Sequence, residues 1–440
     1  MTTGLNEAIV RGISERKHEP SWMLDFRLHC LDVYNGLPLP SWGPDLSGLN
    51  IDNIQSYVEA SSAMVDDWEQ VPGEIRETFE ALGIPEAERS GLAGVGAQFN
   101  SELVYHNVKA AVADKGVVYL GLEEALQGEY AEMVREHFMK LVPPEDHKFA
   151  ALHGAVWSGG SFVYVPKNTT VEFPLQSYFR FNAPGAGQFE HTLIIVDEGA
   201  DLHFIEGCSA PKYNVANLHA GCVEIYVRKN AHVNYATVEN WSKNMYNLNT
   251  KRAIVAEGGK MEWVTGSFGS HVSMLYPMAI LEGDGATMEY SGVSFASADQ
   301  MLDTGVKVVH SAPDTKSFIN AKSLVKDGGE NTFRSLVKVS TKAQNAKSFT
   351  DCQSLMLDDR SKTDTIPNFE INCASADIAH EANVGKISEA ALNYLQSRGI
   401  SEHEARGMVV RGFASSVSKE LPVEYAVEMN NLLKLEMENM

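Results

Sequence analysis

At 440 residues, with 44% hydrophobic and 21% charged side chains, the chain has the composition of a globular protein with room for two or three domains. Its 58 acidic against 36 basic residues give a formal charge of −22, which repels phosphate backbones and argues against a nucleic-acid partner. No apolar run reaches the ~18 residues that span a bilayer, and Met1–Lys17 mixes charges where a signal peptide would be apolar, so no membrane contact and a cytosolic location are expected.

Residues 1–150 form a mixed, helix-rich region. The aromatic and proline-rich stretch holding Trp22, Phe26, Tyr34, Pro38, Pro40 and Trp42 reads as a helix followed by an irregular wrap over another surface. Helical spacing then recurs over Ile51–Glu69 and over Glu123–Leu141. In the latter, Leu126, Tyr130, Met133, Val134, Phe138 and Leu141 share a face, and Pro143-Pro144 ends the stretch.

Residues 151–382 change character. Short alternating stretches flank Gly or Asn turns: Phe162–Val165 before Asn168, Leu193–Val196 before Gly199, Val223–Val227 before Asn230, Ile254-Val255 before Gly258, Ile280-Leu281 before Gly285, and Leu336–Val339 before Asn345. Each turn leads into another strand-like stretch. The turns step by 31, 31, 28, 27 and 60 positions, and Asp314 falls near the midpoint of the last, double step. A recurring strand–turn–strand unit is the mark of a stacked architecture. Gly and Asn suit the positive-φ corner that such a coil needs. The pattern predicts a mainly β chain built on a parallel β-helix; an antiparallel sandwich is the alternative that alternation alone leaves open.

Residues 383–440 return to helix. Ser401 and Glu404 form a capping box, and Val427, Leu432, Leu433 and Leu435 lie on one broad face of Glu424–Met437. Such a helical tail suits either a cap for the solenoid end or a docking surface.

The five cysteines, Cys30, Cys208, Cys222, Cys352 and Cys373, are odd in number and widely spaced, without any C-x-x-C. A disulfide framework, a zinc ribbon and a ferredoxin-type site are all poorly supported. Cys222, inside Gly221–Val227, reads as core. No phosphate-binding loop, dinucleotide fingerprint or G-x-S-x-G is present, so ATP hydrolysis, if the system needs it, belongs to another chain. A β-helix carbohydrate lyase would need clustered carboxylates; the adjacent pair Asp358-Asp359 sits among Arg360, Ser361 and Lys362 and reads as a solvated turn.

The stronger constellation is Cys208, Cys352 and His380-Glu381. Both cysteines follow post-turn strands, so stacking can bring them onto one wall, and His380-Glu381 lies where the sheet ends. Thiolate, imidazole and carboxylate together make a usable iron site, and one with few thiolates holds a cluster weakly, as suits a donor.

These stretches resemble the SufB type of the SufB/SufD family, which belongs to the SUF iron–sulfur assembly system. The text that carries the resemblance includes Arg16–Leu24, Tyr178–Asn182, Gly187–Glu190, Glu206–Pro211, Val238–Trp241, Ser323–Gly329, Asp351-Cys352, His380–Ala382 and Gly412–Leu433. The resemblance implies a right-handed parallel β-helix between helical N- and C-terminal regions. It implies a non-enzymatic scaffold on which transient iron–sulfur clusters are built and passed to apo-proteins. Cys208 would accept persulfide sulfur, with Arg180 and Asn182 near it and the guanidinium favouring the thiolate; Cys352 and Glu381, with His380 beside them, would hold the nascent cluster. Partners would be a SufC-like ABC ATPase on the C-terminal helices, a SufD-like paralogue or a second copy, and a sulfur donor; nothing in the sequence indicates a flavin. A D-type partner role without its own cluster site is the alternative, though that paralogue characteristically lacks the Cys208/Cys352 pair. Ala379 stands where many relatives carry a second carboxylate, and Cys30, Cys222 and Cys373 match no family role.

Overall fold

The computed structural model describes residues 4–59, 92–419 and 423–438, with the single positions 65, 70, 73 and 421. Its centre is a β-solenoid of about eight turns. Each turn lays one strand on a ten-stranded sheet and one or two on a thirteen-stranded sheet. Successive coils pair in parallel and in register: Asp201–Ser209 with His232–Asn240, that strand with Lys260–Phe268, and so on to Lys347–Met356 and Asp377–Lys386. The antiparallel alternative is thereby excluded for the coil.

The corners form where the turn residues place them. Asn168, Gly199, Asn230, Gly258, Gly285, Asp314 and Asn345 all have φ between +53° and +67°, the left-handed region that Gly, Asn and Asp enter most readily. Each corner amide donates to a carbonyl of the next coil: Asn168 to Glu198, Gly199 to Lys229, Asn230 to Glu257, Gly258 to Asp284. The ladder is self-propagating, because each turn satisfies the backbone donor of the one before it.

Strand alternation divides the side chains between lumen and exterior. The lumen carries Val163, Ile194, Phe204, Ile225, Tyr235, Trp263, Tyr290 and Phe333 among its packed residues. Phe204 stacks on Tyr235 with centroids 5.5 Å apart, and Trp263 meets Tyr235 edge-on at 5.5 Å; each such contact adds about 0.5–1.5 kcal/mol beyond area burial. The outer face of the ten-stranded sheet is covered by the C-terminal helices Glu389–Ser397, Glu402–Ser418 and Val423–Glu438, through Leu392, Val410, Ala414, Met429 and Leu433 packed on Val238, Val264, Val293 and Leu324. The Ser401–Glu404 capping box is present. The helical tail therefore flanks the solenoid and does not cap its end. Leu432 and Leu433 are buried as the periodicity requires, whereas Leu435 is exposed.

The N-terminal region departs from its helical reading in two places. Ile51 opens a single 3-10 turn ending at Asn53, after which Gln55 bridges Ala186 and Ile54 is buried; the pull of a neighbouring strand edge overrides local spacing, and residues 60–64 and 66–69 of that stretch lie outside the described residues. The Glu123–Leu141 stretch is two helices, Leu122–Gln127 and Ala131–His137, parted at Gly128. Ser21–Gly36 is a helix followed by an irregular wrap, as expected. It packs on the helix Lys148–Val156, with Arg27 fully buried between Glu19 and the Ala155 and Trp157 carbonyls.

Candidate functional site

Cys208 lies on the strand Asp201–Ser209, facing inward with Phe204 and Glu206 by the two-residue period. It is buried beside Phe179, Phe181, Trp241 and Met245. Burial pushes its thiol well up, and Glu206, Glu239 and Glu190 add to the rise while Lys251 opposes it. These four belong to one enclosed polar chain. Lys251 Nζ donates to Glu206 Oε1 and Thr237 Oγ1, both at 2.9 Å, and stands 3.8 Å from Glu239. Tyr235 donates to Glu206 at 2.5 Å, Asn247 and Asn249 donate to Glu239, and His219 joins Asn247 to Glu190.

Arg180 and Asn182 sit one strand from Cys208 but serve a different face. Register pairs Phe179 with Cys208 and Arg180 with Ser209. The Arg180 side chain donates to Asn182 and to the Ser209 hydroxyl, and Asn182 N–H donates to Asn100. The cation on the thiol's own side is therefore Lys251 and not Arg180.

Cys352 faces the lumen near its far end. Its Sγ is 3.3 Å from His380 Nε2 on the last strand, Asp377–Lys386. Burial, with a smaller contribution from Asp351, pushes the thiol up to about 12. Burial also lowers His380, which leaves a neutral imidazole with a lone pair for a soft acceptor. Register sets the rest of this end. Thr350 pairs with His380, Asp351 with Glu381 and Cys352 with Ala382. Parallel neighbours point the same way, so His380 joins Cys352 while Glu381 joins Asp351 on the outer face, exposed. Ala379, paired with Phe349, is also on Glu381's side. The structure thus brings Cys352 and His380 together and keeps Glu381 across the sheet from them.

The two thiols share one wall but not one position. Five strand steps separate them on the ten-stranded sheet, about 24 Å at the usual strand spacing. Between them the lumen holds a cavity of ≈ 30 Å³ lined by Thr237, Glu239, Lys251, Thr265, Tyr290 and Gly292 at its middle and by Ala321 toward Cys352. Glu239 is the register partner of Cys208, and Ala321 that of Cys352. A space of this size admits one or two water-sized molecules and no organic cofactor.

Two family models match the chain: the SUF system FeS cluster assembly SufBD core domain over residues 179–413, and the SufBD protein N-terminal region over residues 69–177. The chain belongs to the SufBD family. It is 52% identical over 435 residues, covering 99% of this chain and 93% of the relative, to an iron-sulfur cluster assembly SufBD family protein of Staphylococcus aureus strain MRSA252. It is 51% identical over the same span to the protein of that description from Staphylococcus haemolyticus strain JCSC1435. The solenoid coincides with the SufBD core match, and Cys208, Cys352 and His380 all fall inside it. Lys251, Glu206, Glu239 and His219, which fill the lumen of this SufBD core, were not singled out from sequence. The available signal was a charged residue at lumen parity, as in Phe204-Ile205-Glu206-Gly207-Cys208.

Proposed function

We propose that this SufBD chain is the B-type scaffold on which nascent iron–sulfur clusters are assembled, with Cys208 as sulfur acceptor and the Cys352–His380 end as the place where the cluster is held. The observation that carries the reading is two thiols facing one lumen, with a small cavity between them, one of them 3.3 Å from an imidazole on the terminal strand. Sulfur acceptance is ordinary exchange: the Cys208 thiolate attacks the outer sulfur of a donor persulfide, a new S–S bond forms as the donor's breaks, and the donor thiolate leaves. A separation of about 24 Å is too long for direct thiol-to-thiol hand-over. Onward movement takes two equivalents of an external thiol: the first displaces hydrosulfide from the Cys208 persulfide and leaves a mixed disulfide, and the second frees Cys208 as an external disulfide forms; hydrosulfide is small enough for the lumen. His380 and Cys352 would ligate the growing cluster, which is cargo here. Glu381, across the sheet from that pair, would contribute only through a rearrangement of this terminal strand.

The open end of the solenoid supports a partner. The strands Lys362–Ile371 and Asp377–Lys386 end their sheets with a free edge and expose Phe369, Ile371 and Val384. A SufD-like paralogue or a second copy could continue both sheets there and enclose His380 and Glu381. The C-terminal helices expose Tyr394, Met408 and Leu435, an apolar set suited to a SufC-like ATPase. ATP hydrolysis and sulfur delivery would belong to partners. No helix among the described residues is long and apolar enough to cross a membrane.

The test is Cys352→Ser in cells that depend on this chain. Client iron–sulfur enzymes should lose activity, whereas persulfide should still be trapped on Cys208 after incubation with a desulfurase. Normal client maturation by Cys352→Ser would overturn the scaffold reading. Absence of any persulfide on Cys208 would favour the D-type role.

A further inference from the structure

Away from the lumen, on the outer face of the thirteen-stranded sheet, His153, His191 and Cys222 place one ligand atom each within 4.8 Å of one another. Cys222 and His191 are register partners on adjacent parallel strands. His153 comes down onto them from the helix Lys148–Val156, where tight packing buries every residue from Phe149 to Val156. All three side chains are 0–2% exposed. The scaffold reading uses none of them.

Counting protons singles this cluster out. His153 Nδ1 lies 2.9 Å from the Ala220 carbonyl, which can only accept, so that nitrogen carries a hydrogen. His191 Nε2 lies 3.2 Å from Glu224 Oε2, also an acceptor, and has no aligned hydrogen-bond partner. The remaining nitrogens, His153 Nε2 and His191 Nδ1, face each other at 3.0 Å. Two neutral imidazoles carry two hydrogens: one is on His153 Nδ1, and the other sits either between the inner nitrogens, leaving His191 Nε2 without a partner, or on His191 Nε2 facing Glu224. If the outer contacts take them, the inner nitrogens are opposed lone pairs beside a thiol, and a cation has to separate them.

We infer that His153 Nε2, His191 Nδ1 and Cys222 Sγ form a resident site for a borderline divalent cation of the Zn²⁺ or Co²⁺ class. Two nitrogens and one thiolate are a common donor set for such ions. The surroundings have the form that orients ligating imidazoles: His153 is held through its far N–H by a backbone carbonyl, and His191 is backed by a carboxylate. Glu224 is itself fixed, accepting from the Met139, Leu141 and Val142 amides at 2.6, 2.6 and 2.9 Å. On binding, the thiol proton leaves, and one thiolate with one nearby carboxylate balances the two positive charges. Metal–nitrogen bonds of about 2.0–2.1 Å and a metal–sulfur bond of about 2.3 Å need ligand separations of roughly 3.3–3.7 Å, so the two nitrogens, now 3.0 Å apart, must part by a few tenths of an ångström and the thiol, within 4.8 Å of them, must settle by up to about an ångström. Enclosure means that the ion is taken up as the chain folds. It would clasp the helix Lys148–Val156 to two solenoid strands.

The inference does not depend on the scaffold reading, and the test keeps the two apart. The full chain carrying Cys208→Ser and Cys352→Ser is expressed in zinc-depleted medium with Co²⁺ and washed with a chelator. The site predicts about one cobalt per chain, with thiolate-to-cobalt charge transfer in the near ultraviolet. Adding Cys222→Ala should reduce that band at least about tenfold while the circular dichroism spectrum is kept. Should Cys222→Ala fail to fold, Cys222→Ser serves in its place and should shift the band to higher energy. Less than about a tenth of an equivalent of cobalt in the Cys208→Ser/Cys352→Ser chain, or a charge-transfer band indifferent to position 222, would overturn the site and leave a shared proton between the two histidines.

Discussion

Replacing Lys251 with Met removes the single cation that Glu206 and Glu239 share inside the lumen. Both carboxylates are almost wholly enclosed, and Lys251 reaches one at 2.9 Å and the other at 3.8 Å. Burial alone would strip the lysine of its proton, yet the two carboxylates hold its affinity for the proton above that of a free lysine. Removing one partner of a buried pair costs about 3–5 kcal/mol, because the other charge is left uncompensated. A chain of 440 residues melting as one unit has an unfolding entropy of roughly 0.9 kcal/mol per kelvin. The midpoint should therefore fall by about 3–5 °C in calorimetry. Lys251→Met/Glu206→Gln should recover about half of the loss, since only one unpaired carboxylate remains. Lys251 is the charged neighbour that opposes the rise of the Cys208 thiol, so persulfide loading on Cys208 should slow in Lys251→Met. A loss below about 1 kcal/mol with no recovery in the double variant would refute the charged network.

Two further outcomes follow from the titration of other groups. Hydrogen bonds to Asp201 and then Glu262 raise His232 to about 9. A group whose folded pKa is raised stabilises fully below its unfolded value of about 6.5 and loses that contribution as pH climbs to about 9; His232→Gln should flatten the fall in melting temperature across that window. Burial opposes ionisation of Glu262, but His232, Lys260 and Asn234 hold it down to about 2, so its contribution is whole above its unfolded value of about 4.3 and is lost as pH falls from there to about 2. Thiol labelling of the isolated chain at pH 8 should reach Cys373 first, because it is partly exposed and its pKa is lowered by Ser375, while Cys30, Cys208 and Cys222 are buried and raised. Peptide mapping that found Cys208 labelled as fast as Cys373 would contradict the enclosed lumen.

The coil was legible because its corners are. Asn168, Gly199, Asn230, Gly258, Gly285, Asp314 and Asn345 carry a backbone requirement that few residue types meet, and that requirement repeats once per turn. Cys208 and Cys352 were legible as members of one wall for the same reason. Their separation was not, since it depends on counting strands within one sheet and not on sequence distance. Glu381 follows His380 in the chain and was grouped with it, yet successive strand residues face opposite ways, and register decided the matter. Cys222 read as core because its apolar neighbours outvoted it; His153 and His191 reach it from a distant helix and strand, and no local pattern announces such a meeting.

The central claim is that sulfur accepted at Cys208 reaches Cys352 through the lumen, and Gly292→Leu tests it most directly. Gly292 lines the cavity midway, and a side chain there would press on the Tyr290 ring and fill the passage. Overpacking of this kind costs about 1–3 kcal/mol, which a folded chain can absorb and circular dichroism can check. With desulfurase, reductant, iron and partner ATPase supplied anaerobically, the variant should carry persulfide on Cys208 at the wild-type level but form little acid-labile sulfide. Wild-type cluster yield in a folded Gly292→Leu chain would show that sulfur takes another path.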